Sequence, residues 1–393
     1  MGSDPSRRVV VVGAGLAGLA VAGALRRLDV DATVLERSDN PVSVGGIIGV
    51  SAKAAAALER IGLGDVVEQS CIPVQRLEYV DWKARHLTYM PISEVAARLG
   101  TRSFIALRAD VHRALVQGIG PGVVRVGSTV AGFDEDDAGV DVRLEHGGAE
   151  RAAILLGCDG RSSAVRAQLH GDRPLYAGYC AWRAVTPIDP VPLPPGVGRQ
   201  VLGRGRTFGM FGLTDGRIYW WASALTAEGR TDSAEGRKHD VTQAFAGAPP
   251  LVQSALEATD ESLILRNDVS DQPYLDRWGT RRVTLLGDAA HATTPNTGEG
   301  GSHALIDGVV VAEALAPVAD RFDDAATVEA ALRSYEEVRI PETADVVKRA
   351  REIGKFLHID NPVMAKVRDL VFYKATPKRI WEKRAAVYFE ANR

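Results

Sequence analysis

The chain has 393 residues, of which 46% are hydrophobic and 25% charged, with a formal net charge of −3. This composition excludes a disordered chain, a collagen-like fibre and a disulfide scaffold, and it offers no basic field for nucleic acid. The three cysteines form no CxxC pair, so we expect neither a disulfide framework nor a metal site. Glycine is over-represented, with 40 of 393 residues, roughly one in ten, where the usual share is about 7%. The positions of the glycines are therefore informative.

The N-terminal segment is typical of a strand–helix–strand unit. Val9–Val12 is a continuous apolar run, as in a strand buried on both faces, and Leu16–Leu28 is an Ala- and Leu-rich helix. Thr33–Glu36 predicts a second strand, parallel to the first. The uncharged run Val9–Leu25 lies between two arginine pairs, as in a signal segment. Its glycines and the lack of an evident cleavage site favour the strand–helix–strand unit.

The following segments alternate between helical and strand-like patterns. Helices are predicted at Ser51–Ile61, Arg108–Gln117 and Gly300–Leu315. Buried or parallel-type strands are predicted at Leu77–Val80, Leu87–Tyr89, Val123–Val130, Val140–Leu144, Ile154–Leu156 and Val283–Leu286. Antiparallel strands are predicted at Cys180–Val185, Arg206–Leu213 and Ile218–Ala224, the last two joined by an Asp-Gly turn. Residues 237–276 read as helical or irregular, and 325–393 as helical and charged.

This order predicts an α/β fold with a discontinuous nucleotide-binding domain. Its three pieces are residues 1–75, 102–178 and 276–325. Residues 76–101 and 179–275 form an inserted β-sheet domain that we expect to bind the substrate. Residues 326–393 form a C-terminal helical segment.

The first glycine cluster is Gly13-Ala14-Gly15-Leu16-Ala17-Gly18, between the first strand and its helix. Gly13 allows a tight turn, Gly15 lets the backbone approach a pyrophosphate, and Gly18 lets the helix pack close to the strand. Glu36 ends the second strand, where an acid can bond a ribose 2′-hydroxyl, which favours FAD or NAD over NADP. Arg37 is either an adenine contact or a solvated surface charge.

Two later strand ends carry similar turns. Asp159-Gly160 follows one strand, and Ser163 can cap the next helix; an ordinary strand-to-helix turn explains this segment equally well. Gly287-Asp288 follows another strand. Asp288 can accept a hydrogen bond from a polyol hydroxyl or merely cap a turn. We expect His291, just after it, to be a structural residue rather than a base.

Together these segments resemble the class A flavoprotein monooxygenases, the p-hydroxybenzoate-hydroxylase-like family, and more closely its salicylate-hydroxylase and zeaxanthin-epoxidase-like branch. The family patterns GxGxxG with Glu-Arg, GADGxxSxVR and GDAAHxxxPxxGQG correspond to Gly13–Gly18 with Glu36-Arg37, to Gly157–Arg166 and to Gly287–Gly300. The resemblance spans about residues 8–345. It departs at Glu299, where the family usually has Gln, and at Gly301-Ser302.

The resemblance implies a Rossmann-type FAD-binding domain with an inserted β-sheet substrate domain and C-terminal helices. It implies non-covalent FAD, NAD(P)H as a transient co-substrate, and O₂. The implied reaction hydroxylates or epoxidises an aromatic or polyunsaturated small molecule through a flavin C4a-hydroperoxide. The implied cofactor contacts are Gly13, Gly15, Leu16, Ala17, Gly18, Glu36, Arg37, Arg108, Val130, Asp159, Asp288, Pro295, Gly298, Gly300, Gly301 and Ser302.

The substrate is expected between the flavin and the inserted sheet. Arg206 and Tyr219 are candidate catalytic residues because they can stabilise a phenolate or another anion. Candidate pocket residues are Phe208, Met210 and Trp221, but strand alternation lets only half of such a set face one side. The same stripe fits an ordinary sheet core equally well. Arg183 is as consistent with a structural ion pair as with a site.

Two other functions stay open: another flavin-dependent oxidoreductase, such as a reductase or halogenase, and a non-catalytic dinucleotide-binding protein. The halogenase pattern WxWxIP is absent. The cysteine usage fits a reducing compartment, and we expect a cytoplasmic monomer or homodimer with no membrane span and with small molecules as partners. The basic, aromatic segment Lys374–Arg393 is expected to pack on the domain, with a membrane or partner contact as the alternative.

Overall fold

The computed structural model describes residues 7–41, 46–98, 100–189 and 193–374, and the elements below lie within these ranges. The strands are β1 Val9–Val12, β2 Ala32–Leu35, β3 Ile47–Val50, β4 Ile72–Pro73, β5 Arg76–Asp81, β6 His86–Met90, β7 Phe104–Leu107, β8 Val124–Arg125, β9 Val130–Glu135, β10 Val140–Leu144, β11 Ala149–Ala152, β12 Ile154–Gly157, β13 Leu175–Pro187, β14 Val197–Leu202, β15 Arg206–Gly212, β16 Arg217–Leu225, β17 Leu265–Asp271 and β18 Val283–Leu285. The helices are α1 Leu16–Arg27, α2 Ala52–Arg60, α3 Gly64–Glu68, α4 Ile92–Arg98, α5 Arg108–Ile119, α6 Ala164–His170, α7 Arg237–Ala244, α8 Pro250–Ala258, α9 Asp288–His291, α10 Gly300–Leu315, α11 Ala325–Leu357 and α12 Pro362–Lys374, with 3₁₀ turns at Glu261–Leu263 and Ala316–Arg321.

A five-stranded parallel sheet in the order β18-β12-β1-β2-β8 forms the centre of the first region. All four residues of β1 are buried, as its unbroken apolar run predicts. Helix α1 crosses from β1 to β2 and packs directly on α10. A methyl group added to Gly308 would lie 2.5 Å from the backbone nitrogen of Val21. Because the strands are parallel, their carboxyl ends lie at one edge, where open α/β sheets bind ligands.

A seven-stranded sheet in the order β17-β13-β16-β15-β14-β5-β6 forms the second region. The predicted antiparallel pairing of β13, β15 and β16 is confirmed, and Gly216 takes a φ of +79° in the Asp-Gly turn between the last two. Helices α7 and α8 cover one face, where Phe208, Trp220 and Phe245 form a buried core. This core is separate from the one around β1 and α1.

A small sheet, β3-β7-β4, lies between these two regions. Its residues Ile47, Ile72 and Ile105 belong to one apolar cluster with Phe211 and Trp221 of the seven-stranded sheet. The second face of the large sheet therefore turns toward the first region. Side chains of both regions meet at this interface, which we call the cleft.

The C-terminal helices join the two regions. Helix α11 has 33 residues with Pro341 inside it. Tyr335 donates to the Leu285 carbonyl in the first region, and His358, just after α11, bonds Ser223 in the second. The segment Gly300–Arg321 is the one described helical stretch long and apolar enough to cross a membrane, and most of it is buried in the protein. Residues 375–393, which hold nearly all of the basic aromatic segment, lie outside the described residues.

Two secondary-structure predictions need correction, and several strands were not predicted. The single strand predicted at Val123–Val130 is divided between β8 and the start of β9, because Gly127 between them takes a φ of +62°. Strand β14 was not predicted. Strand β17, within the segment expected to be helical or irregular, has weak strand formers and is held by pairing with β13. The domain boundaries themselves stay a prediction.

Candidate active site

The glycines after β1 form a crowded turn that leaves backbone groups accessible. A methyl group added to Gly13, whose φ is +99°, would lie 2.6 Å from the Cys158 carbonyl oxygen. One added to Gly18 would lie 1.9 Å from the Gly13 carbonyl oxygen. At Gly15 the nearest atom would be 3.9 Å away, so this position has free space beside it. The loop therefore combines close packing with an open approach to the start of α1, as a pyrophosphate requires.

The carboxylate of Glu36 lies at the same loop. It accepts hydrogen bonds from the Ala14 nitrogen at 2.8 Å and the Ser38 nitrogen at 2.9 Å. The side chain is half-buried, whereas the neighbouring Arg37 is exposed. The contact of Glu36 with an adenosine ribose stays a prediction. Arg37 stays a predicted adenine contact.

His112, which sequence reasoning missed, supports the loop from below. Its Nε2 lies 2.8 Å from the Ala14 carbonyl oxygen, and burial lowers the pKa of the ring, so the neutral form donates this bond. His112 lies one helical turn after Arg108, the exposed first residue of α5. The sequence signal for His112 was its spacing of four residues from Arg108, which places both residues on one side of α5, near the glycine loop.

The turn at Asp288 follows β18, which is separated from β1 by β12, and it meets the start of α1. Gly287 takes a φ of +58°, and a methyl group added there would lie 3.0 Å from Cβ of Ala17 in α1. Asp288 begins α9, and its half-buried carboxylate makes no hydrogen bond to any described residue. A free carboxylate here fits a polyol hydroxyl better than a turn cap.

The second motif is tied into the fold by its own side chains. Asp159 accepts from the Ser163 hydroxyl at 2.5 Å and the Ala164 nitrogen at 2.7 Å. Ser163 in turn accepts from the Arg166 nitrogen, which confirms the predicted cap of α6. The Arg166 guanidinium is buried and donates to the carbonyls of Ala289 and Ala290 in the third motif. The Asp159 carboxylate therefore serves this turn, and its contact with FAD stays a prediction.

The start of α10 is fastened to β3. Ser302 Oγ donates to the Gly49 carbonyl at 2.9 Å and accepts from the Ser51 nitrogen at 2.8 Å. A methyl group added to Gly301 would lie 3.1 Å from Ile48. The Ser302 side chain is thus used within the protein, so a cofactor contact there falls to the backbone. Gly301 leaves room for the close packing of α10 on β3.

The loop before α10 contains the departure at Glu299. This side chain is buried, with Oε1 at 3.5 Å from Nη2 of Arg349 and Oε2 without a hydrogen-bond partner among the described residues. Burial raises the pKa of its carboxyl. The predicted contacts nearby differ in exposure: Pro295 and Gly298 are exposed, Gly300 is half-buried, and Val130 is buried at the start of β9.

His291 takes part in a buried network. Its Nε2 lies 2.6 Å from Asp307 Oδ2, and Asp307 also accepts from the Gly287 nitrogen and from Nε of Arg339. Although burial alone would raise it, His291 and Arg339 hold the pKa of Asp307 well below its usual range. The expectation of a structural His291 agrees with these contacts.

Three of the predicted substrate residues lie on the wrong face of the sheet. Arg206 donates to the carbonyls of Ala244 and Arg204. Phe208 stacks on Trp220 with their ring centroids 5.3 Å apart. Met210 is buried in the same core under α7 and α8. Arg206, Phe208 and Met210 occupy every second position of β15, so their side chains share one face, and that face is turned away from the cleft. They are therefore removed from the candidate site.

Tyr219 and Trp221 lie on the other face, together with Phe211, which was not predicted. The Trp221 ring centroid lies 5.8 Å from that of Phe211 and 5.9 Å from that of Tyr219. We call these three residues the aromatic wall. The indole of Trp221 lies flat across Gly209, where an added methyl group would come within 2.0 Å of it. Burial raises the pKa of Tyr219 to about 12.

Comparisons with known proteins show the family of the chain. The sequence matches the FAD binding domain family over residues 6–350. It is 31% identical over 377 residues to an aurachin C monooxygenase/isomerase of Stigmatella aurantiaca, covering 95% of each chain. It is 30% identical over 354 residues to an FAD-dependent urate hydroxylase of Klebsiella pneumoniae, covering 89% of this chain and 90% of that one.

A crystal structure of Klebsiella pneumoniae HpxO with FAD and uric acid superposes with a TM-score of 0.87 at 28% identity, covering 97% of this chain and 96% of that one. The match spans both sheets and the C-terminal helices, so it includes the cleft as well as the cofactor domain. The chain therefore belongs to the class A flavoprotein monooxygenases, and it is an FAD-dependent enzyme that uses NAD(P)H and O₂.

Proposed function

We propose that the enzyme adds one oxygen atom of O₂ to a planar aromatic small molecule that lies against the aromatic wall of Phe211, Tyr219 and Trp221. The observation that carries this proposal is the position of the wall. Its three rings are the aromatic residues of β15 and β16 on the face toward the first region. Phe211 and Trp221 pack in one cluster with Ile47 and Ile105, and Tyr219 lies beside Trp221. Stacked rings at a domain interface suit a flat, apolar ligand.

The residues of the first region fit FAD. The Gly13–Gly18 loop offers backbone N–H groups to the pyrophosphate, with Arg108 close by; Glu36 suits a ribose hydroxyl, and Asp288 suits the ribityl chain. The N-terminus of α10 offers positive dipole to the flavin ring. FAD, when bound, supplies the electron transfer and the activation of O₂ that no side chain can supply.

The chain itself orients the substrate and excludes water. Phe211 and Tyr219 are buried, and Trp221 is half-buried, so a ring placed against them loses its contact with solvent. Because its pKa is about 12, Tyr219 keeps its proton at neutral pH. It is therefore available as a hydrogen-bond donor and does not act as a base.

The decisive experiment is a screen of aromatic compounds for faster NAD(P)H oxidation, with mass detection of a product that has gained one oxygen atom. A coupled, oxygenated product is expected. NAD(P)H oxidation that no aromatic compound accelerates would contradict the proposal. A halogenated product formed in the presence of halide would favour the halogenase alternative.

The FAD contact at Asp288 is tested separately. The Asp288→Ala variant should stay folded by circular dichroism and bind FAD about 10- to 100-fold more weakly, because a hydrogen bond to a charged acceptor is lost. Asp320→Ala, which changes an exposed aspartate, is the control and should keep full FAD occupancy. Full occupancy in Asp288→Ala would contradict the assignment.

We also propose that the enzyme is a cytoplasmic monomer or homodimer. The burial of most of Gly300–Arg321 supports a helix of the protein core at that position. Sedimentation of the purified protein and fractionation of cells test this proposal. Recovery of the chain in the membrane fraction after a high-salt wash would contradict it.

A further inference from the structure

Glu299, at the departure from the family pattern, is a buried acid directly before α10. Its side chain is almost completely shielded from solvent, and Gly300, the first residue of the helix, follows it. Its Oε1 lies 3.5 Å from Nη2 of Arg349 on α11, and its Oε2 has no hydrogen-bond partner among the described residues. Arg349 is also shared, because its Nε lies 2.9 Å from the exposed carboxylate of Asp345. A negative charge on Glu299 is therefore only partly compensated.

The other buried acid of α10 is held quite differently. Asp307 accepts hydrogen bonds from the Gly287 nitrogen and from Nε of Arg339, and it lies 2.6 Å from Nε2 of His291. These partners hold the pKa of Asp307 well below its usual range, so its charge is fixed. Glu299 has no such set of partners, so its proton is free to come and go.

The groups that act on the Glu299 carboxyl come from α11 and from its own loop. Burial has the largest effect and raises the pKa of this carboxyl, and Asp345 raises it further. Arg349 and the nearby Thr297 hydroxyl lower it, although not enough to offset burial.

The remaining charged groups at this end of α10 are paired with each other. Lys53 of α2 forms an ion pair with Glu342 of α11 at 2.6 Å, and Glu342 also accepts from Arg339. His303, one turn after Glu299, bonds to Arg339, and its pKa is lowered to about 3, so it is neutral at neutral pH. These groups form a constant background for the titration of Glu299.

The proposed position of FAD gives this proton a function. We have placed the flavin ring at the N-terminus of α10, which Glu299 directly precedes. Hydride transfer from NAD(P)H brings two electrons and one proton, so negative charge develops on the ring. The positive end of α10 stabilises that charge, whereas an ionised carboxylate beside the same helix end opposes it. Protonation of the carboxylate removes this opposition.

We propose that Glu299 takes up one proton from solvent when the flavin is reduced, and so sets how the reduction potential of the enzyme depends on pH. The two electrons and one proton of the hydride go to the flavin, and the additional proton forms an O–H bond on Glu299. The inference rests on the proposed position of FAD at α10, and it is independent of the identity of the substrate.

The test is a spectroelectrochemical titration of the FAD-loaded enzyme, without any aromatic compound, from about pH 5 to about pH 9. Over part of this range the wild-type potential should fall more steeply than that of Glu299→Gln, by about 30 mV per pH unit for one additional proton per two electrons. The two curves should meet at the acid end, where both side chains are neutral, and the Gln variant should have the more positive potential at the alkaline end. Glu313→Gln, the same change at the exposed far end of α10, should follow the wild type.

Parallel curves for the wild-type enzyme and Glu299→Gln, or an equal change in Glu313→Gln, would overturn the proposal. Infrared difference spectra of the wild-type enzyme provide a second measurement if Glu299→Gln loses FAD. Reduction should add the C=O band of a protonated carboxyl group, and its absence would overturn the proposal as well. A steeper wild-type curve in an enzyme that forms no oxygenated product would support the role of Glu299 and contradict only the proposed function.

Discussion

The two faces of the seven-stranded sheet are made by the same strands and do different work. On one face Phe208 and Trp220 are completely buried against α7 and α8. On the other, the aromatic wall borders the cleft, and Arg183 lies in register with it without an acidic partner. A period of two residues thus separates side chains that stabilise the sheet from side chains available to a ligand.

The glycines differ between the faces for the same reason. Gly209 and Gly198 lie on the cleft side, where Trp221 and Phe211 lie flat across them. A side chain at either position would lift the ring above it. The helix-covered face instead carries large side chains such as Phe208 and Trp220, because close packing there contributes to stability.

The strongest test of this difference is Phe208→Ala. Loss of a fully buried ring should lower the free energy of unfolding by about 3–5 kcal/mol. The KM for the aromatic substrate should stay unchanged in the folded protein. Chemical denaturation and steady-state kinetics measure the two quantities. A raised KM with unchanged stability would mean that Phe208 faces the ligand after all.

The next test uses the Tyr219 hydroxyl on the cleft side. Because the folded pKa is raised to about 12, the protonated phenol is favoured by the fold. Its contribution is complete below the ordinary value near 10 and is lost as pH rises toward 12. The difference between these two pKa values corresponds to a contribution of about 2–3 kcal/mol at most to the free energy of unfolding.

Tyr219→Phe should therefore lose less stability than the wild-type protein between pH 10 and 12. Tyr274→Phe, which changes a tyrosine that is 65% exposed, serves as the control and should follow the wild-type profile. Denaturation at several pH values measures the difference. Identical profiles for all three proteins would show that the Tyr219 phenol is not held in its protonated form.

A smaller effect is expected for Gly209→Ala. The added methyl group would meet the Trp221 indole at 2.0 Å and displace it, so the KM for the aromatic substrate should rise about tenfold, or about 1.4 kcal/mol. Met210→Leu, the volume-conserving change at the next residue on the opposite face, should leave the KM unchanged. An unaltered KM in Gly209→Ala would separate Trp221 from the substrate.

The smallest effect is expected for Arg206→Gln. Arg206 bonds to carbonyl groups on the helix-covered face and lies over the ring of Trp82. Its loss should cost about 1 kcal/mol of stability and change KM by less than twofold. A tenfold rise in KM would return Arg206 to the candidate site and break the distinction between the faces.

Local patterns were enough to predict the strands and glycine turns of the first region and the FAD-binding family. The runs before Gly13 and Gly287 are short and continuously apolar, and each is followed by a turn whose glycine has positive φ. Because the apolar run and its turn lie within a few residues of each other, they can be recognised in the sequence without knowledge of the fold. The parallel order of β1, β12 and β18 then brings their ends together.

The substrate side could not be predicted in this way. Alternation along β15 and β16 separates their residues into two sets, but both sets are apolar and aromatic. Only α7 and α8, packed from a distant part of the chain, decide that Phe208 is core and Phe211 is wall. Tertiary contacts also engage Ser302 and Asp159 within the protein.

Some of the 40 glycines are explained by local sequence, and others only by tertiary contacts. At Gly13 and Gly287 the backbone conformation demands glycine, and neighbouring residues reveal it. At Gly209 and Gly301 the demand comes from Trp221 and Ile48, which reach these positions only in the folded chain. Short-range geometry is written in adjacent residues, whereas packing between distant segments is settled only when the fold brings them together.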